Sequence, residues 1–243
     1  MKKLLDCTFR DGGYYTNWTF DKQMVYDTVH ALDQTKRVSY IELGYKSPSK
    51  GGPYKKCNEE YIRSVLKKRP SAKLSFMIDL KEFIKDNTLD TTLLDDMIIH
   101  SRFSWFKMVR IACTKTNISH VYETVQLLKQ KGYILGVNLM QVALLDTPDY
   151  KLCIETLKLS KDKVDYFYVA DSFGTIQPKD MSYYKDTFKV LGKVGFHAHD
   201  NMGLAYANVL QASKWHIYDT TVTGMGRGVG NAKTEQYLMT YKN

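Results

Sequence analysis

Val194-Gly195-Phe196-His197-Ala198-His199-Asp200-Asn201 and, at the other end of the chain, Leu4-Leu5-Asp6-Cys7-Thr8-Phe9-Arg10-Asp11-Gly12 are the stretches on which the fold turns. Each starts as a short apolar run and ends in residues able to do chemistry. Runs of the same kind recur along the chain, and together they give candidate strands at Lys3–Thr8, Tyr40–Leu43, Leu74–Ile78, Lys107–Ile111, Ile134–Leu139, Tyr166–Val169, Val194–His197 and Tyr218–Val222. Helical patterns lie between them, near 21–36, 59–68, 89–101, 118–131, 148–161, 178–191 and 203–213. Asp21 is placed to cap the first of these and Gly132 to end the fourth. Strands that alternate with helices pair in parallel through crossover connections. Eight evenly spaced strands favour closure into a (β/α)8 TIM barrel over an open doubly wound sheet. A last, short helix is expected from about Asn231.

The bulk properties agree with one α/β domain. The 243 residues match the roughly 250 of such a barrel, and a 44% hydrophobic content can fill its core. No linker or solenoid-length repeat divides the chain, so residues 1–243 read as one catalytic domain, either complete with a brief final helix or the N-terminal part of a longer native protein. No run of about 18 apolar residues exists, which argues against a membrane span. The start, Met1-Lys2-Lys3-Leu4-Leu5-Asp6, meets an acidic residue too soon for a secretory signal. Cys7, Cys57, Cys113 and Cys153 are far apart, which suggests reduced thiols and a cytoplasmic protein, with Cys7 and Cys113 packed inside strands. The net charge of +9 comes from dispersed pairs such as Lys55-Lys56 and Lys67-Lys68, a solvated surface more than a nucleic-acid patch. It does favour small anionic substrates.

A barrel of this type builds its active site at the C-terminal ends of the strands. Arg10 and Asp11 follow strand one, Glu42 lies near the end of strand two, Asp171 and Ser172 follow strand six, and His197 and His199 close strand seven. Residues two apart on a strand face the same way, so both imidazoles point to one side. If strands one and seven are near neighbours, Asp11 joins them, and two imidazoles with a carboxylate form a divalent-metal site with open positions. Such a site polarises a carbonyl oxygen. Arg10 can hold an enolate or carboxylate oxygen, with Glu42 as its partner. The loop Gly224-Met225-Gly226-Arg227-Gly228-Val229-Gly230 lacks dinucleotide spacing, and Asn231 after it is either a metal or substrate ligand or a helix cap. Tyr14, Tyr15 and Trp18 either shape a substrate pocket, for a sugar-like acceptor for instance, or pack a loop.

Arg10-Asp11 with Glu42, His197-x-His199 and Gly230-Asn231 resemble the DRE-TIM metallolyases, from Leu5 to Glu235 and in the family's order. Val109-Arg110-Ile111-Ala112, Ala170-Asp171-Ser172-Phe173-Gly174 and the glycine-rich loop most resemble the 4-hydroxy-2-oxovalerate aldolase branch. The resemblance implies class II-type lyase chemistry on a 2-oxo acid such as pyruvate, plus an aldehyde, through a metal-stabilised enolate. It implies Asp11, His197, His199 and Asn231 around Mn²⁺, with Mg²⁺, Zn²⁺ or Co²⁺ as alternatives, and Arg10, Asp171 and Ser172 against the substrate. The aldolases carry a histidine acid/base where this chain has Tyr14, and a phenol titrating near 10 is a poor base at neutral pH unless metal or Arg10 lowers it. The Glu-Gln pair of the acyl-CoA synthases is replaced by Gly13-Tyr14, which disfavours the Claisen alternative. A non-catalytic metal-binding barrel is the remaining alternative. A homo-oligomer is compatible with the resemblance. The missing C-terminal region that docks an aldehyde dehydrogenase argues against that partner.

Overall fold

The computed structural model describes residues 2–240. Eight parallel strands close into a barrel: β1 (Lys3–Asp6), β2 (Tyr40–Tyr45), β3 (Lys73–Asp79), β4 (Phe106–Cys113), β5 (Ile134–Leu139), β6 (Tyr166–Asp171), β7 (Val194–Ala198) and β8 (Ile217–Thr220). They run in sequence order around the barrel, and β1 closes it by pairing with both β8 (Lys3 opposite Ile217) and β2 (Leu5 opposite Tyr40). Only β8 therefore separates β1 from β7.

Helices cover the outside: α2 (Lys22–Gln34), α4 (Glu59–Leu66), α5 (Thr91–Met97), α6 (Val121–Gln130), α7 (Thr147–Lys158), α8 (Met181–Phe188), α9 (Ala205–Ala212) and α10 (Thr234–Thr240). Two further helices, α1 (Thr8–Thr16) and α3 (Pro53–Lys56), lie in the loops after β1 and β2. α2 shows why such segments dock. Asp21 caps it by accepting from the Met24 amide, and Val25, Val29 and Leu32 recur at helical spacing and are buried. Among the described residues, no helix is long and apolar enough to cross a membrane. All four cysteines are free and buried.

Several boundaries differ from the sequence expectation. β1 ends at Asp6, and Cys7 is the residue between strand and helix instead of a strand member. The segment from Thr8, read as the end of a strand and a loop, is helical. β8 stops at Thr220, Glu42 is mid-strand in β2, and the last helix starts at Thr234, because Asn231 is engaged in a bridge with His199.

The barrel interior is layered. Leu5, Tyr40, Met108, Tyr166, Tyr168 and Ile217 form an apolar cluster separate from the main core between sheet and helices. Two residues further along their strands stand Glu42, Arg110 and Asp219, all buried. With a period of two, these residues face the same interior one layer nearer the C-terminal mouth. Gly195 makes this layering fit, since a Cβ there would come within 2.7 Å of the Tyr168 ring.

Candidate active site

α1 follows β1 after a single residue, so its first turns carry Arg10 and Asp11 directly over the barrel mouth. The join is pinned on both sides. Asp6 Oδ1 accepts from the Thr8 amide at 3.1 Å, and Thr8 Oγ1 accepts from the Val222 amide at 2.8 Å. Trp18 Nε1 donates to the Arg10 carbonyl at 3.0 Å, and the indole lies against Gly13, where a Cβ would meet it at 2.1 Å.

Asp11 is the centre of the site. Its Oδ2 lies 3.2 Å from His197 Nε2 and accepts from Asn231 Nδ2 at 2.5 Å, and its Oδ1 pairs with Arg10 Nη1. The two imidazoles stand edge to face with centroids 5.0 Å apart. Each is fixed through Nδ1: His197 against Asp219 Oδ2 at 2.9 Å, His199 against the Asp171 carbonyl at 3.0 Å. Both rings thus keep Nε2 for the site, the arrangement typical of metal-ligating histidines with a carboxylate or carbonyl behind them. His199 Nε2 and Asn231 Oδ1 are buried and have no hydrogen-bond partner among the described residues. Native proteins rarely leave such atoms unsatisfied, and a cation would satisfy both.

Electrostatics point the same way. Burial alone would raise the Asp11 carboxyl, but Arg10, His197 and His199 hold it well below the usual carboxylate range. Burial opposes charge on His197, yet Asp11 and Asp219 raise it above its ordinary value. His199 is lowered to about 4, by burial first and then by His197, so it is a neutral imidazole with a free lone pair at neutral pH. Beneath lies a charged lattice. Glu42 Oε1 accepts from Arg10 Nε at 2.7 Å and Arg110 Nη1 at 3.2 Å, Asp219 Oδ2 accepts from Arg110 Nη2 at 2.5 Å, and Asn138 Oδ1 accepts from Arg110 Nε at 3.2 Å. Three buried carboxylates (Asp11, Glu42, Asp219) face two buried guanidiniums (Arg10, Arg110), an excess of one negative charge that favours a cation at the site.

Cys7 is the unforeseen neighbour. Its Sγ, the Asp11 carboxylate and His197 have ligand atoms within 4.8 Å of one another. Burial pushes this thiol well above its ordinary value, and it donates to the Thr220 carbonyl at 3.6 Å and Asp11 at 3.9 Å. Cys7 thus borders the site as a thiol donor to Asp11 and the Thr220 carbonyl. The nitrogen and oxygen donors Asp11, His197, His199 and Asn231 are the set that suits a hard or borderline dication.

The other expected residues fall around this set. Glu42 touches Arg10 and Arg110. Asp171 aims both carboxylate oxygens at its own loop, accepting from the Thr175 and Ile176 amides at 3.0 and 3.1 Å, and meets the site through its carbonyl. Ser172 Oγ accepts from the Gln141 amide at 2.9 Å and borders the cavity at the barrel mouth. Tyr14 is 39% exposed, with its hydroxyl 2.8 Å from the Tyr45 hydroxyl. Arg110 and Asp219 join this lattice without having been expected there from the sequence. The signal available was a lone charge inside each of the apolar strands Met108-Val109-Arg110-Ile111 and Ile217-Tyr218-Asp219-Thr220.

Comparison with known proteins decides the family. The profile of HMGL-like proteins matches residues 2–243. The chain belongs to the HMGL-like family. This HMGL-like chain is 30% identical over 241 residues to an oxaloacetate decarboxylase of Mycobacterium tuberculosis, the match covering 96% of the chain and 67% of that protein. It is 29% identical to a 4-hydroxy-2-oxovalerate aldolase of Roseiflexus castenholzii, covering 96% and 68%. Among solved structures, the N-terminal domain of an aldolase-like protein from Bacteroides vulgatus superposes with a TM-score of 0.80 at 31% identity, over 98% of this chain and 78% of that one. A hydroxymethylglutaryl-CoA lyase from Pseudomonas aeruginosa shares the fold, with a TM-score of 0.73 at 15% identity over 98% and 84%.

Proposed function

We propose that this protein is a carbon–carbon lyase that cleaves or forms the bond next to a 2-oxo acid, pyruvate being the smallest such unit, with a divalent cation, Mn²⁺ by preference, held by Asp11, His197, His199 and Asn231. The observation that carries the reading is Asp11 Oδ2 meeting both His197 and Asn231, with His199 Nε2 and Asn231 Oδ1 buried and unsatisfied. When bound, the cation supplies Lewis-acid polarisation of the 2-oxo group. Arg10 is held by Glu42 through Nε and by Asp11 through Nη1, and in this reading its remaining amino group serves the substrate. There it stabilises the negative charge that develops on the carbonyl oxygen as the bond breaks. Asp219 and the Asp171 carbonyl orient the imidazoles. Trp18 and Tyr45, both buried, pack edge to face and back Tyr14 on α1.

The full chain is tested by coupling pyruvate release from racemic 4-hydroxy-2-oxovalerate to lactate dehydrogenase. EDTA abolishes release, Mn²⁺ or Mg²⁺ restores it, and Asp11→Asn lacks it. Activity that survives metal stripping or Asp11→Asn contradicts the proposal.

One observation favours a second reading, decarboxylation of a 2-oxo diacid. A retro-aldol step must remove a proton from the substrate hydroxyl, whereas decarboxylation needs no base. The residue at the mouth is Tyr14, hydrogen-bonded to another tyrosine and not to a base. Tyr14→Phe separates the two. It lowers retro-aldol cleavage about 10²-fold or more if the phenol relays that proton, and changes oxaloacetate decarboxylation less than about tenfold.

A further inference from the structure

The cavity bordered by Tyr14 and Ser172, about 280 Å³, is far larger than the leaving group of the simplest substrates. At about 30 Å³ per water it has room for roughly nine waters, against a carbon dioxide or a two-carbon aldehyde. Its lining carries a net excess of one positive charge. Lys81 and Arg227 border it, and the single carboxylate of its lining, Asp79, is 3.1 Å from Lys81. Arg227 forms no ion pair among the described residues, and its guanidinium sits 4.6 Å above the Tyr14 ring. Tyr14 links this cavity to the chemistry, because it shares α1 with Arg10 and Asp11. The lining also carries neutral polar side chains. Thr114 and Thr116 join hydroxyls at 2.8 Å, and Gln141 is held in the left-handed region at φ 61°.

We infer that this cavity binds the half of the substrate beyond the cleaved bond, that this half carries a carboxylate or phosphate, and that Arg227 and Lys81 hold that anion. The inference rests on the lyase reading for what lies next to the cavity, but the anion site itself is tested without turnover. Calorimetric titration of the full chain with unreactive probes (glycerol 3-phosphate, glycerate and glycerol) separates phosphate, carboxylate and neutral ligands. At least one anion is expected to bind about tenfold or more tightly than glycerol, as charge-assisted hydrogen bonds allow, and the tighter one names the group. Arg227→Gln combined with Lys81→Gln is expected to remove that preference with melting temperature and circular dichroism unchanged, and Arg227→Lys with Lys81 intact to retain part of it. Anions that bind no better than glycerol, or a preference that survives the double substitution, overturn the inference. Proton–deuterium exchange at the pyruvate methyl, run in parallel, reports on the lyase reading separately.

Discussion

Asp219→Asn is the substitution with the clearest expected consequence. In the native protein one oxygen, Asp219 Oδ2, accepts from both His197 Nδ1 at 2.9 Å and Arg110 Nη2 at 2.5 Å, and all three side chains are buried. The amide keeps the shape but removes the negative charge. Arg110 then has only Glu42, shared with Arg10, as a carboxylate partner. Breaking a buried ion pair on one side costs about 3–5 kcal/mol, and the retained amide oxygen argues for the lower end. At 2–4 °C per kcal/mol for a chain of this size, about 3 kcal/mol is a fall of roughly 6–12 °C in melting temperature. His197 also loses the anion that fixes its tautomer and raises its basicity, which typically costs 10–100-fold in metal affinity. Calorimetric Mn²⁺ titration and thermal melts of the same samples measure both. A folded Asp219→Asn protein that binds Mn²⁺ within about threefold of wild type would refute the claim that Asp219 positions His197.

Three further outcomes are expected. Burial pushes the Asp6 carboxyl up to about 6, against hydrogen bonds from Thr234 and Thr8. The folded protein therefore holds this proton more tightly than the unfolded chain, and the associated stability is present below about pH 4 and lost as the pH rises through about 6. Asp6→Asn, neutral throughout, should gain on wild type by on the order of 3 kcal/mol between about pH 4 and pH 7, read as melting temperature against pH; parallel curves would be contrary. Gly226→Ala puts a Cβ 2.5 Å from Asn231 Oδ1, so Asn231 must move, and Mn²⁺ affinity should fall about tenfold; unchanged affinity would remove Asn231 from the donor set. Glu42→Gln should leave Arg10 and Arg110 under-compensated and lower the melting temperature by at least about 6 °C, whereas a change under about 2 °C would show that the lattice is not needed for stability.

The barrel was legible because each strand is a short apolar run and the runs alternate with helical spacing. The strict period of two also made it legible that His197 and His199 share a face. What local pattern could not show was long-range or tertiary in origin. α1 contains Gly12-Gly13, and each glycine costs a helix about 1 kcal/mol against alanine. The helix exists because Gly13 lets the Trp18 indole close on it and anchor the Arg10 carbonyl. Arg110 and Asp219 are far apart in the chain, and their pairing follows only from barrel closure, although a buried arginine in one strand demands a carboxylate from another. Asp171 read as a substrate contact by its place after β6, yet its carboxylate oxygens are turned to the amides of its own loop.

The most direct measurement is anomalous diffraction from crystals soaked in Mn²⁺. The account predicts one strong peak within ~2.0–2.3 Å of Asp11 Oδ2, His197 Nε2 and His199 Nε2, with Asn231 Oδ1 beside it and Cys7 Sγ outside coordination distance. No peak there at saturating Mn²⁺, or a peak bound elsewhere in the barrel mouth, would contradict it.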